Sequence, residues 1–358
     1  MHRKIAYEYC RVFLSGNRNS DALRAYTTFA GGYPLDIRYS HTHIVGMKQT
    51  NVRQFLQKFP SDEACLEHLF NVRFGQGHEC PKCKREAKWY PLASEKAYSC
   101  QWCGHHIHPM VGSIFEKSRT PLQLWFYAIF LFTTSKHGVS AKELQRQLGV
   151  TYKTAYRMGR LIREHMAAID GDAPLGGAGK VVEVDETFAG GKTKGIDRRK
   201  RKTVVIGMIE RGGDAHVDVV ADQTASSLIP EIHSYILPET EIHSDELRAY
   251  NKFMGSKTKN THKTVNHSQG EYATPVGVTT NQIESFFNHL KKSIAGAHTS
   301  VSPTHLQRYV KEFVFRFNRR MRPETMLDEL LSRSPELDAS SRRPAYPGHP
   351  LDRLHAVL

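Results

Sequence analysis

The stretch Val181-Val-Glu-Val-Asp185-Glu-Thr-Phe188 decides how this chain is read. Its β-branched residues predict a buried strand over Val181–Asp185, with Asp185 at its end. A second short strand signal, Glu241–Asp245, ends in the same way on Asp245. Glu284 then falls in Asn281-Gln-Ile-Glu-Ser-Phe-Phe-Asn-His-Leu-Lys291, where the apolar spacing is that of an amphipathic helix. The three carboxylates lie 60 and then 39 residues apart.

Carboxylates on rigid neighbouring strands suit hard divalent cations such as Mg2+ or Mn2+, which take oxygen ligands. Two such ions about 4 Å apart assist phosphoryl transfer, one activating a water or 3′-hydroxyl and the other stabilising the leaving oxygen. An Asp at a strand end also serves as a cap, and a lone helical Glu as a solvated charge. The weight therefore rests on the combination. Lys291 lies seven residues beyond Glu284, about 10 Å along the same helix face, where its ammonium can grip a DNA phosphate. Asn281 and Asn288 share that face, and Asn281 stays open as an alternative to Glu284.

Outward from this centre, strand signals at Thr203–Glu210 and Ala215–Ala221, a helix at Ala225–Ile236, a further strand at Thr264–His267 and a helix at Pro303–Arg320 make the region mixed α/β. Between the first two strands runs the basic stretch Lys192–Lys202, which reads either as a solvated loop or as a DNA-backbone contact. The Gly/Ala-rich segment Gly171–Gly179 marks a domain boundary.

Ahead of that boundary, Ser140-Ala-Lys-Glu-Leu-Gln-Arg-Gln-Leu-Gly149-Val-Thr151 and the residues after it have the layout of a helix-turn-helix. Ser140 and Thr151 are placed to cap two helices, and Gly149 supplies the turn. Ala155, Met158 and Leu161 would face inward. Tyr152, Lys153, Thr154, Tyr156 and Arg157 would then lie on the exposed N-terminal part, where a recognition helix meets the major groove. Any helical hairpin with a charged outer face shares this pattern.

Four of the six cysteines form two knuckles, Cys80-Pro-Lys-Cys83 and Cys100-Gln-Trp-Cys103, separated by sixteen residues. Paired knuckles at ribbon spacing aim four thiolates at one Zn2+, and a closed set of four thiolates makes that zinc structural. His105, His106 and His108 follow closely as surface or nucleic-acid contacts. Cys10 and Cys65 read as small apolar residues.

Lys and Arg number 50 against 36 Asp and Glu, a formal net charge of +14. That excess favours a polyanionic partner without proving one. The most apolar run, Leu122–Phe132, is too short to span a bilayer, and Arg3, Lys4, Tyr7, Glu8 and Arg11 interrupt any N-terminal signal core. The expectation from these features is a cytoplasmic protein with no membrane contact.

With these residues in place, the chain resembles insertion-sequence transposases that carry an N-terminal zinc ribbon and a DDE (ISXO2-like) core, related to the eukaryotic Merlin superfamily. The residues that carry the resemblance are Cys80-Pro-Lys-Cys83, Val184-Asp185-Glu-Thr-Phe-Ala-Gly-Gly191, Ser244-Asp245-Glu-Leu-Arg-Ala-Tyr250, Val265-Asn-His267-Ser, Thr280-Asn281-Gln-Ile-Glu284-Ser, Leu290-Lys291 and His305-Leu-Gln-Arg-Tyr-Val-Lys-Glu-Phe. It covers roughly Val52 to Arg320.

The resemblance implies a ribonuclease H-like core in which three strands, a helix and a strand precede the helix bearing the third carboxylate. It implies Asp185, Asp245 and Glu284 as the catalytic, Mg2+-binding set, with Asn281 as the alternative third residue. It also implies double-stranded DNA as substrate, at terminal inverted repeats and target, and a homodimer or larger assembly to hold two ends. The expected organisation is an extension over 1–46, a helical lead-in and ribbon over 47–118, the helix-turn-helix over 119–170, the core over 180–320 and a tail over 321–358. The rival readings are a zinc-ribbon regulator with an inactive core, a nuclease of the same fold, and a degenerate element copy.

Overall fold

The computed structural model describes residues 50–92, 94–170, 173–190, 202–250, 259–265, 277–298 and 301–333. The expected extension 1–46, the basic run up to residue 201, His267 and the tail beyond residue 333 lie outside the described residues.

Two short helices open the described chain, α1 (Val52–Lys58) and α2 (Asp62–Arg73). Asn51 and Gln54 form a reciprocal capping box on α1, and Ser61 caps α2 through the Ala64 amide. A three-stranded antiparallel ribbon follows in the order β1 (Trp89–Pro91), β2 (Tyr98–Cys100) and β3 (His106–Ile107). Its small core is Phe70, Trp89, Tyr98 and Ile107, packed beside the cysteines.

The apolar run becomes α3 (Leu122–Thr134), with Trp125, Phe126, Ile129, Phe130 and Phe132 all buried. A helix apolar on every side belongs inside a bundle, and each such side chain contributes about 1.5–3 kcal/mol by leaving water. Helices α4 (Ala141–Leu148) and α5 (Tyr152–Asp170) pack on it.

The second half is a five-stranded sheet in the order β10-β9-β5-β6-β7. Its strands are β5 (Val181–Ala189), β6 (Thr203–Glu210), β7 (Ala215–Val220), β9 (Glu241–Ser244) and β10 (Thr261–Thr264). β5, β6 and β7 run antiparallel in sequence, while β9 pairs parallel to β5, and β10 parallel to β9. Alternation divides the side chains between two layers. Val182, Val184 and Phe188 meet Leu228 and Ile232 of α6 (Ala225–Tyr235). On the other face, Val205, Ile209 and Val217 meet Ile283, Phe287 and Leu290 of α7 (Asn281–Ala297), and Leu306 and Val310 of α8 (Pro303–Asn318). No helix among the described residues is long and apolar enough to cross a membrane.

Four expectations need correction. β5 does not stop at Asp185 but runs on to Ala189, because β6 pairs with it along that whole length. The strand expected at Thr264–His267 begins earlier, at Thr261 in parallel registry with Glu241, while residues 266 and 267 lie outside the described residues. The boundary segment is partly built into the core: β4 (Leu175–Gly176) pairs with β8 (Ile236–Leu237). A Cβ on Gly176, where φ is +84°, would collide with Thr240. Residues Thr325–Ser332, expected in the tail, form α9, and its Met326, Leu327, Leu330 and Leu331 are buried among α2, α3 and α5.

Helix α5 joins the two halves. Its C-terminal part packs along α8 through Arg163–Glu312 (2.6 Å), Glu164–Arg308 (2.8 Å) and Asp170–Arg319 (2.5 Å). Removing one partner of a buried pair like Arg163–Glu312 costs about 3–5 kcal/mol. The helix whose first turn faces solvent is thus fixed by its far end to the sheet domain.

Candidate active site

β9 pairs with β5 only from Val181 to Glu183, and its chain leaves the sheet after Ser244. Successive side chains of a strand point to opposite faces, so Asp185 and Glu186 diverge by default. Here β9 ends beside them, and both can turn toward the space next to β5. Asp245, the first residue past β9, enters the same space. One carboxylate oxygen from each of Asp185, Glu186 and Asp245 lies within 4.8 Å of the others.

Each carboxylate is oriented. The Glu186 amide donates to Asp185 Oδ1 at 2.8 Å, and the Leu247 amide to Asp245 Oδ1 at 3.0 Å. The buried Tyr250 hydroxyl donates to Glu186 Oε2 at 2.6 Å, and Gln223 Nε2 to Oε1 at 2.8 Å. Burial pushes the Asp185 carboxyl up to about 8; the Glu186, Asp245 and Glu284 charges add to this, against the Glu186 amide. Glu186 is also raised, chiefly by burial and then by Asp245, against the Tyr250 hydrogen bond. Such crowding of negative charge fits a hard divalent cation, whose ligands are carboxylate oxygens.

Glu284 is not within that 4.8 Å group. It sits half-buried in the first turn of α7, accepts from Thr280 Oγ1 at 3.2 Å, and is near enough for its charge to act on Asp185. Lys291 is two turns further on; burial lowers its pKa, with the Asp185 charge opposing. Asn281 is exposed at the first position of α7, its amide bonded to Thr279 Oγ1 at 3.0 Å.

The start of α7 is tied to the sheet by Glu183, a fully buried carboxylate in β5 that motif reading passes over. It accepts from the Gln282 amide (2.8 Å) and the Ile283 amide (3.1 Å) at the start of α7, and from Arg211 Nη2 (3.1 Å). Thr280, the capping residue, makes no side-chain cap. Glu183 therefore satisfies amides that a helix start would otherwise leave unpaired, and its charge suits the helix dipole. Gly207, paired with Asp185 across β5 and β6, completes the fit. A Cβ there would come within 2.7 Å of Phe287 and 2.9 Å of Ile283.

In the ribbon, Cys80, Cys83, Cys100 and Cys103 converge, with Sγ–Sγ separations of 3.6 Å for Cys80–Cys103 and 3.9 Å for Cys83–Cys100. Tetrahedral Zn–S bonds of about 2.3 Å require sulfurs about 3.8 Å apart, so the set fits a structural zinc. Both knuckles turn alike. Lys84 (φ +56°) donates its amide to the Cys80 carbonyl, and Gly104 (φ +65°) to that of Cys100.

Helices α4 and α5 meet at a tight turn. Ser140 caps α4 through the Glu143 amide, Gly149 turns with φ +65°, and Thr151 accepts from the Thr154 amide at 3.3 Å. Tyr152, Lys153, Tyr156 and Arg157 are exposed, Thr154 half-buried, and Ala155 and Met158 buried. Lys142 lies 4.9 Å over the Tyr152 ring.

A thiolate ribbon, a helical pair and a mixed α/β sheet with clustered carboxylates define a class. Residues 60–106 match the transposase zinc-ribbon domain, and residues 174–318 match the ISXO2-like transposase domain. The two matches cover the ribbon and the sheet half, in that order along the chain, with the helical pair between them. Among its relatives is the uncharacterized protein in transposable element ISH50 of Halobacterium salinarum, 26% identical over 282 residues that span 73% of this chain and 92% of that protein.

Proposed function

We propose that the protein is a DDE-type DNA transposase that hydrolyses phosphodiesters at the terminal inverted repeats of its element and joins the freed 3′-hydroxyl ends to target DNA. The observation that carries this reading is the convergence of Asp185 and Asp245 beside β5, inside the stretch that matches the transposase domain. The sheet order, with three antiparallel strands followed by parallel neighbours, supports a ribonuclease H-like core. Two Mg2+ or Mn2+ ions, when bound, would supply Lewis-acid activation of the attacking oxygen and stabilisation of the leaving one.

The chain's own residues then divide the work. Asp185 and Asp245 hold the cation site from the sheet, and Glu284 acts from α7 as the third residue in preference to the more exposed Asn281. Lys291 holds the DNA backbone beside the scissile phosphate. Tyr152, Lys153, Thr154 and Arg157 present the start of α5 to duplex DNA, and the α5–α8 ion pairs transmit that placement to the sheet. The working organisation is a lead-in and ribbon over 47–118, the helix-turn-helix over 119–170 and the catalytic core over 180–320. Two ends held together call for a dimer or larger assembly.

The test is end cleavage by purified protein with Mg2+, followed by capture of a supplied 3′-hydroxyl end into plasmid. Cleavage without joining would favour a nuclease. Binding of the ends without cleavage would favour a regulator.

A further inference from the structure

Among the described residues, several buried carboxylates are matched to a cation: Glu183 to Arg211, Glu312 to Arg163, Asp170 to Arg319 and Asp218 to Lys311. Glu186 breaks the pattern. It lies largely out of solvent, yet among the described residues no Lys, Arg or His pairs with it. Its partners are the neutral Tyr250 hydroxyl and the neutral Gln223 amide, one on each oxygen. Neutral donors fix a carboxylate's direction without cancelling its charge, and each oxygen keeps a further lone pair. One Glu186 carboxylate oxygen lies within 4.8 Å of an oxygen of Asp185 and of Asp245.

Strand alternation adds a second constraint. Glu186 leaves β5 toward the α6 layer, where Tyr250 is packed, while Asp185 leaves toward the α7 layer and Glu284. The chain from Asp245 to Tyr250 supplies both a carboxylate of the cluster and the hydroxyl that aims Glu186. We infer that Glu186 is a direct ligand of the divalent cation held by Asp185 and Asp245, with Tyr250 and Gln223 as its positioning residues, and that Glu284 serves the opposite side of Asp185. This rests on the metal-dependent reading above.

The experiment measures Mn2+ binding to the zinc-loaded full chain by the loss of the free-ion paramagnetic resonance signal, without DNA and apart from any turnover. Wild type is compared with Asp185→Asn, Glu186→Gln, Tyr250→Phe and Glu284→Gln, each checked for one zinc per chain and an unchanged melting profile. The expected result is Mn2+ affinity at least about tenfold weaker in Glu186→Gln, and about tenfold weaker in Tyr250→Phe, the range typical for outer partners of a metal ligand. Glu284→Gln should keep the tighter site. If Glu186→Gln does not fold, Tyr250→Phe carries the test, and unchanged affinity in that variant overturns the assignment. Wild-type affinity in Glu186→Gln with loss in Asp185→Asn overturns the Glu186 role while leaving the metal site standing. Absence of Mn2+ binding in wild type overturns both.

Discussion

Glu183→Ala is the substitution whose effect follows most directly from the contacts. The side chain is 0% exposed and accepts from two amides at the start of α7 and from the Arg211 guanidinium. Truncation leaves the Gln282 and Ile283 amides without their acceptor, and each unsatisfied buried group costs about 1–3 kcal/mol. Arg211 is partly exposed, and it still donates to the Thr279 carbonyl at 3.4 Å and contacts His243 Nδ1 at 3.1 Å, so its charge is not wholly stranded. The total should be about 3 kcal/mol, below the upper end for breaking a buried ion pair. Glu183→Gln keeps one carbonyl oxygen and should lose about 1–2 kcal/mol, the difference between charge-assisted and neutral hydrogen bonds. Urea unfolding followed by far-ultraviolet circular dichroism reads both values. A loss of only about 0.5 kcal/mol in the alanine variant, the size of a surface change, would refute the clamp.

Three further outcomes are expected. Gly207→Ala should lower stability by about 1–3 kcal/mol through overpacking against Phe287 and Ile283, and should reduce end cleavage by lifting α7; calorimetry and the cleavage assay read the two effects. Cys103→Ser should bind substantially less than one zinc per chain by elemental analysis and make the ribbon protease-sensitive, because so small a core depends on its metal. Burial lowers His165 to about 4, so its folded pKa lies below the unfolded value of about 6.5. Its contribution to stability is therefore present above pH 6.5 and lost as pH falls from there toward 4, at up to about 1.4 kcal/mol per pH unit. His165→Gln should flatten that slope by one proton in denaturant titrations across this window.

Much of the site was legible because its signals are local. Cysteine spacing specifies the ribbon, and Ser140, Gly149 and Thr151 each do in place what a cap or turn residue does. Asp245 stands one residue past β9, close to the strand end at which Glu241–Asp245 was expected to carry it. What was not legible depends on partners distant in sequence. Asp185 lies within β5 because β6 extends the pairing to Ala189, which no property of Val181–Asp185 reveals. Glu186 joins the cluster only because β9 stops at Ser244 and Tyr250 returns to it. Glu183 did offer a signal, an acidic residue in an otherwise apolar strand, which signifies a buried partner. α9 offered another, in Met326, Leu327, Leu330 and Leu331 at helical spacing.

Metal-dependent DNA cleavage and joining is assigned to the carboxylates beside β5. Its most direct test is strand transfer with the element's own ends, Mg2+ and a plasmid target, comparing wild type with Asp185→Asn and Asp245→Asn at matched zinc content and DNA-end affinity. Joined product is expected from wild type and none above background from either variant, while both still bind the ends. Joined product at the wild-type level from either variant would contradict it.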